Sequence, residues 1–239
     1  MNSDAGELKA IPGSDTAASL PQLATRIAGR LRLGLYHQST RYGLRRDLHV
    51  PIQRPSAKIP IDVRPMIDSD LESLLPTGEG DHAEKLDVAR RRAFVERCPQ
   101  GCFVAIDQRD GAPCYMQWLI GAADNPFIRR MGGFPQLQEQ EALLENAYTP
   151  AKYRGLGIMS AAMALIAERG HDLGADYVLT FVDQHNIASL KGCQRAGFFP
   201  HLLHQKAQIG FGIFARDTFE TLAEGDPRRT MTFDAPPRA

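Results

Sequence analysis

The chain has 239 residues, enough for one domain with a sizeable core or one domain with an appendage. Lysine plus arginine balance aspartate plus glutamate, 28 against 28, so no whole-molecule field points to nucleic acid. No apolar run approaches the roughly 18 residues of a membrane span, and the polar, acidic first twenty residues lack the hydrophobic region of a secretory signal. The four cysteines, Cys98, Cys102, Cys114 and Cys193, lack paired metal-ligand spacing, so reduced thiols in a cytoplasmic protein are expected.

In chain order, residues 1–20 are small and polar and are expected to be disordered. From Pro21 the pattern changes. Leu23, Ile27, Leu31 and Leu35 recur every four residues with Arg26, Arg30 and Arg32 between them, which predicts a basic amphipathic helix. Residues 21–60 carry eight basic side chains against one acid, Asp47. Such a face is either solvated on a packed helix or a docking surface for an acidic partner or anionic head groups. Pro51, Pro55 and Pro60 then mark an extended linker.

At Ile61 an alternating strand begins, followed by a helix opening with Asp68 and Asp70, a glycine-rich break at 77–81, and a second helix from His82 to Arg97. Cys102–Ile106 and Cys114–Ile120 read as antiparallel strands around Asp110-Gly111. A loop is expected from Ala123 to Gln138; its Arg129 and Arg130 would suit a carboxylate or phosphate on a substrate.

The most informative stretch runs from Glu141 to Phe198. An apolar run ending at Tyr148 is stopped by Thr149-Pro150, and the turn Arg154-Gly155-Leu156-Gly157 leads into apolar residues at helical spacing: Ile158, Ala161, Ala162, Leu165 and Ile166. Tyr177–Val182 reads as a second buried strand, parallel to the first with the helix as crossover. Without side chains at Gly155 and Gly157 a ligand can approach the backbone, and the first N–H groups of the helix have no partner inside it. With the helix dipole they make a phosphate site, beside which Arg154 adds a positive charge. No Gly-Lys-Ser/Thr follows, and Ser160 stands where a dinucleotide fingerprint needs its third glycine. Asn186 to Phe198 reads as a short helix with an Asn cap and a closing glycine, Gly197.

These two halves resemble the GNAT N-acetyltransferase family. Its pyrophosphate motif, Arg/Gln-x-x-Gly-x-Gly/Ala, is similar to Arg154-Gly155-Leu156-Gly157-Ile158-Met159. Its later segment, Asn-x-x-Ala-x-x-Leu-Tyr-x-x-x-Gly-Phe, is matched at Asn186, Ser189, Gly197 and Phe198. Two positions depart: Met159 stands for Gly or Ala, and Cys193 replaces the tyrosine that protonates the leaving thiolate. The resemblance implies an α+β GNAT fold: a mixed, mostly antiparallel central sheet splayed between two strands, with helices on both faces. The organisation expected is a disordered N-terminus (1–20), a basic helical extension and linker (21–60), an acyltransferase domain (61–220) and a loose tail (221–239).

The implied function is transfer of an acetyl or other acyl group from a coenzyme A thioester to a primary amine on a small molecule or peptide, without a metal. The cofactor residues implied are Ala147, Tyr148, Thr149, Arg154, Gly155, Leu156, Gly157, Ile158, Met159, Asn186 and Ser189. The reaction needs a neutral amine, a polarised carbonyl and a tolerated thiolate. Glu145, on an otherwise apolar strand, is the first candidate base; Cys193 and Tyr148 are candidates for the acid. Two alternatives stay open: a long-chain acyltransferase fed by an acyl carrier protein that docks on the basic extension, and an acyl-CoA-binding module without turnover. A homodimer also stays open.

Overall fold

The computed structural model describes residues 9–10, 35–76, 81–98, 100–211 and 213–233. In chain order the elements are β1 (Lys9–Ala10), β2 (Tyr36–Asp47), β3 (Ile61–Pro65), α1 (Asp68–Leu74), α2 (His82–Arg97), β4 (Cys102–Asp107), β5 (Pro113–Gly121), α3 (Asn125–Met131), β6 (Glu141–Tyr148), α4 (Ile158–Glu168), β7 (Tyr177–Asp183), α5 (Ile187–Arg195), β8 (Phe199–Ile209) and β9 (Phe214–Thr221). The expected basic helix lies outside the described residues apart from Leu35, as do residues 77–80 of the glycine-rich break and residues 1–8 and 11–20 of the expected disordered segment.

The described chain divides into two compact units. The larger holds the described residues within 44–181 and 186–199 together with 232–233, and contains the five neighbouring strands β7-β6-β5-β4-β3. β3 through β6 pair antiparallel, and β6 and β7 pair parallel with α4 as the crossover, as the sequence pattern predicts. Every residue of β5 from Cys114 to Gly121 is buried, so both faces of this strand are covered. α4 packs across β3, β4 and β5, α1 packs on β5, and Phe94 of α2 meets Trp118 edge-on at 4.9 Å. α2 opens with a reciprocal cap: the Glu84 N–H donates to Asp81 Oδ1 at 2.9 Å and the Asp81 N–H to Glu84 Oε2 at 3.1 Å.

The smaller unit holds the described residues up to Gly43 together with 182–185 and 200–231. Its centre is the β8–β9 hairpin, with β1 on the outer side of β9. In it the buried His204 ring stacks on Phe219, takes a hydrogen bond from Arg41 Nε at 2.9 Å and lies 2.6 Å from Asp217 Oδ1.

Three expectations are corrected. Tyr36–Asp47 is a twelve-residue strand in the segment read as helix and linker. Leu44 is its one fully buried apolar side chain, so its period was too weak to see. The loop read from Ala123 to Gln138 contains α3: Pro126 suits the first turn, Gly132 at φ 70 ends it, and Asn125 closes the loop with hydrogen bonds to both backbone groups of Leu137. After β8 the chain turns at Gly210 and Phe211, both with positive φ, before β9 begins at Phe214. Residues 225–233, read as loose, hold a short 3-10 turn at Pro227–Thr230, and Phe233 is buried with its N–H on Gln194 Oε1.

Candidate functional site

β6 stops being an ordinary strand where its neighbours let it go. Its parallel ladder with β7 runs from Glu141/Tyr177 to Leu144/Thr180, while β6 continues four residues to Tyr148. On its other edge the register with β5 slips from Glu145 opposite Trp118 to Tyr148 opposite Met116, so Asn146 and Ala147 together face Gln117. This is a bulge, and Asn146 takes the left-handed conformation it needs, φ 57. Arg91 of α2 locks it, donating from Nη1 to Asn146 Oδ1 at 2.8 Å, Ala147 O at 3.2 Å and Asn146 O at 3.4 Å, with its guanidinium 4.5 Å over the Tyr148 ring.

Beyond Pro150 a short 3-10 turn, Ala151–Tyr153, carries the chain to Arg154, whose Nε donates back to Thr149 O at 3.1 Å. Gly155 and Gly157 follow at φ 75 and φ 74, a conformation L side chains rarely hold. A Cβ at Gly155 would meet nothing within 4 Å, so the turn opens into space there. Gly157 caps α4, whose first N–H groups no side chain caps among the described residues. At the facing helix Asn186 caps α5 by accepting from the Ser189 N–H at 3.2 Å.

These elements enclose a cleft of about 810 Å³. It is lined by the β6 end (Ala147, Tyr148, Thr149), the turn and helix start (Arg154, Gly155, Leu156, Gly157, Ile158, Met159), and Asn186 and Ser189 of α5, which covers all the cofactor residues expected from the sequence. Its charged lining is four cations, Lys58, Arg91, Arg154 and Arg195, against one acid, Asp87, which itself holds Arg91 Nε at 3.0 Å. The cleft therefore favours an anionic ligand.

Met159, the position where the motif departs, packs into space that Gly192 of α5 leaves. A Cβ on Gly192 would come within 2.6 Å of Met159 Cε. The large residue on one helix and the absent side chain on the other compensate.

The expected catalytic residues divide. Tyr148 lines the cleft. Glu145 is half-buried opposite Trp118, one residue before the bulge and off the lining. Cys193 is 1% exposed and also off the lining, and burial pushes its thiol up to about 12. Arg129 and Arg130 are exposed on α3 away from the cleft, where Arg129 Nη2 donates to Gln136 Oε1 at 3.2 Å.

Sequence reasoning missed three contributors. Tyr115 of β5 lines the cleft while fully buried; its hydroxyl donates to Gln117 Oε1 at 2.7 Å, and burial pushes its phenol well above its ordinary value. Arg91 is one of several arginines on the helix from His82 to Arg97, and nothing in their spacing singles it out. Pro55, Ser56 and Lys58 lay in the stretch read as linker; its prolines were the sole signal, and they predict extension without saying against what.

A family model for the GNAT acetyltransferase domain matches residues 61–199. The chain belongs to the GNAT acetyltransferase family. The family is one of acetyltransferases that draw on an acyl-CoA cosubstrate. Among solved structures the GNAT chain is similar to the glucosamine N-acetyltransferase region of a fungal multi-domain β-N-acetylglucosaminidase, at 14% identity and TM-score 0.51 over 86% of this chain and 24% of that one, a likeness of fold alone. A GCN5-related N-acetyltransferase from Sphaerobacter thermophilus matches at 14% identity and TM-score 0.47, over 90% of this chain and 60% of that one. A GNAT acetyltransferase from Colwellia psychrerythraea matches at 12% identity and TM-score 0.47, over 84% and 74%. The GNAT chain thus spans three fifths of the Sphaerobacter protein's length and about a quarter of the fungal one. Among curated proteins no sequence matches it. No described helix is long and apolar enough to cross a membrane, and no group of metal-ligating side chains occurs among the described residues.

Proposed function

We propose that the protein transfers an acetyl or other acyl group from a coenzyme A thioester to a primary amine by direct attack, with the diphosphate held at the Arg154–Met159 turn. One observation carries the reading: the uncapped start of α4, reached through two glycines at positive φ, opens into a cationic cleft beside the bulged, splayed end of β6. Backbone N–H groups there meet an anion without reorganising.

In this account Gly155 to Met159 and Arg154 bind the diphosphate. Ala147, Tyr148 and Thr149 offer the released strand edge to the pantetheine arm, and Asn186 and Ser189 line its far side. Arg91 holds the bulge rigid, so those backbone groups keep their aim. Tyr148, which lines the cleft, is the candidate donor to the departing thiolate, while Tyr115, with its hydroxyl committed to Gln117, closes the inner wall. Cys193, buried away from the cleft, fills the core. Glu145, adjoining the bulge, takes the amine's proton through water. Asp87 is the cleft's one carboxylate and steadies Arg91 over the Tyr148 ring.

The test is thiol release from acetyl-CoA across a library of primary amines, with labelled products identified by mass spectrometry. Release that depends on an amine and yields an N-acetyl product supports the reading. Binding of acetyl-CoA with no turnover on any amine or acyl length refutes catalysis.

A further inference from the structure

The segment between β2 and β3, whose prolines predict a linker, lies before the residues that match the family. Its backbone is fixed onto the glycine turn. The Lys58 N–H donates to Leu156 O at 2.8 Å, and the Ser56 carbonyl lies 3.2 Å from where a Cβ on Gly157 would stand. The segment is anchored on both sides of that contact. Ile52 lies against Gly197, where an added Cβ would come within 2.9 Å of it, while Ile59 is buried and Pro60 O accepts from the Gln108 N–H at 3.0 Å.

A clasp holds it to α4. Glu168, on the last turn of that helix, accepts from Arg54 Nη2 at 2.7 Å and Nε at 3.1 Å, and from the buried Arg46 at 3.2 Å. One carboxylate thus bridges β2 and the segment after it. Because a trans peptide points its C=O and N–H in opposite directions, tying Leu156 O to Lys58 also fixes the Gly157 N–H on the side away from that bond. The segment both completes the wall of the cleft, through Pro55, Ser56 and Lys58, and sets the orientation of a turn peptide.

We infer that residues 54–58 form a phosphate-gripping strap over the glycine turn, with Lys58 supplying the cation and the Arg54–Glu168 pair holding the strap in place. This rests on the coenzyme A reading above. A diphosphate with a further 3′-phosphate presents more charge than one helix start and Arg154 neutralise. Lys58 and Arg195 are the remaining cleft cations whose side chains are not tied up inside the site as Arg91 is. Lys58 comes from outside the helix that holds the motif, so it adds a contact the motif alone does not supply.

The test is calorimetric titration of the full chain with coenzyme A at two salt concentrations. Lys58→Gln should weaken binding about tenfold, the loss of one charge-assisted contact, and reduce its salt dependence, with an unchanged melting temperature because Lys58 is exposed. Lys58→Arg should restore most of the affinity. Arg54→Gln, which releases the clasp without touching the cleft, should weaken binding about threefold. If the wild type binds coenzyme A and both Lys58→Gln and Arg54→Gln bind it equally well, the strap is overturned while the coenzyme A reading stands. If the wild type itself fails to bind, the coenzyme A reading falls, and the strap with it.

Discussion

Gly157 offers the sharpest perturbation, because Gly174 provides its control. Both hold positive φ, 74 and 75, but a Cβ at Gly174 would meet nothing within 4 Å, whereas one at Gly157 would press on Ser56 O at 3.2 Å and Ala57 Cα at 3.7 Å. Alanine at either site carries a left-handed backbone cost of about 1–2 kcal/mol. For a chain of this size that lowers the melting temperature by about 2–8 °C. At Gly157 the turn or the strap must also move by a few tenths of an ångström, shifting the N–H groups that start α4. Losing one charge-assisted hydrogen bond to phosphate costs roughly 1.5–3 kcal/mol, so coenzyme A should bind at least about tenfold more weakly to Gly157→Ala. Gly174→Ala should lose stability and keep its affinity. Calorimetry with coenzyme A, paired with thermal melts, separates the two effects. Equal affinities for the two variants would refute the placement of the diphosphate at this turn.

Arg91→Met keeps the aliphatic stem but removes the bonds to Asn146 and Ala147; kcat/KM should fall on the order of a hundredfold and stability by about 1–3 kcal/mol. A kcat/KM within twofold of wild type would show that the bulge does not need its lock. Gly192→Ala pushes the flexible end of Met159 from its seat, so the KM for the thioester should rise while the melting temperature moves by less than about 2 °C. An unchanged KM would mean that Met159 relaxes away from the cleft. Cys193 predicts an alkaline effect. Its folded thiol holds its proton to about pH 12, whereas in the unfolded chain it ionises near the ordinary value of 9.0, so stability is present below that value and declines as pH rises through the window between them. The decline has a limit of about 1.4 kcal/mol per pH unit, and Cys193→Ala should flatten it by that share in denaturant melts between pH 8 and 10.5. Parallel curves for the two proteins would contradict the buried, neutral thiol.

The site's local half was legible in the sequence. Gly155 and Gly157 before a helical period, the Thr149-Pro150 stop and the Asn186 cap each act through neighbours a few residues away, and all appear where the pattern puts them. What could not be read is non-local. The Asn146 bulge exists because Arg91, 55 residues earlier, holds it. Tyr115 reaches the cleft from a strand buried on both faces, where one more apolar residue carries no special mark. The strap at 54–58 looks like linker until Leu156 and Glu168 are seen beneath it. Strand β2 is polar along most of its length because its arginines find internal partners, Arg46 on Glu168 and Arg45 over the Tyr177 ring, so these two do not stand on the open docking face that the basic segment resembled.

The central claim is that bare backbone amides at the Arg154–Met159 turn hold a diphosphate. A crystal structure with coenzyme A tests it most directly. The account predicts diphosphate oxygens about 2.7–3.2 Å from N–H groups of this turn, with the thiol end lying along Ala147 to Thr149. A nucleotide seated elsewhere, or a turn whose amides face away from it, would contradict the account.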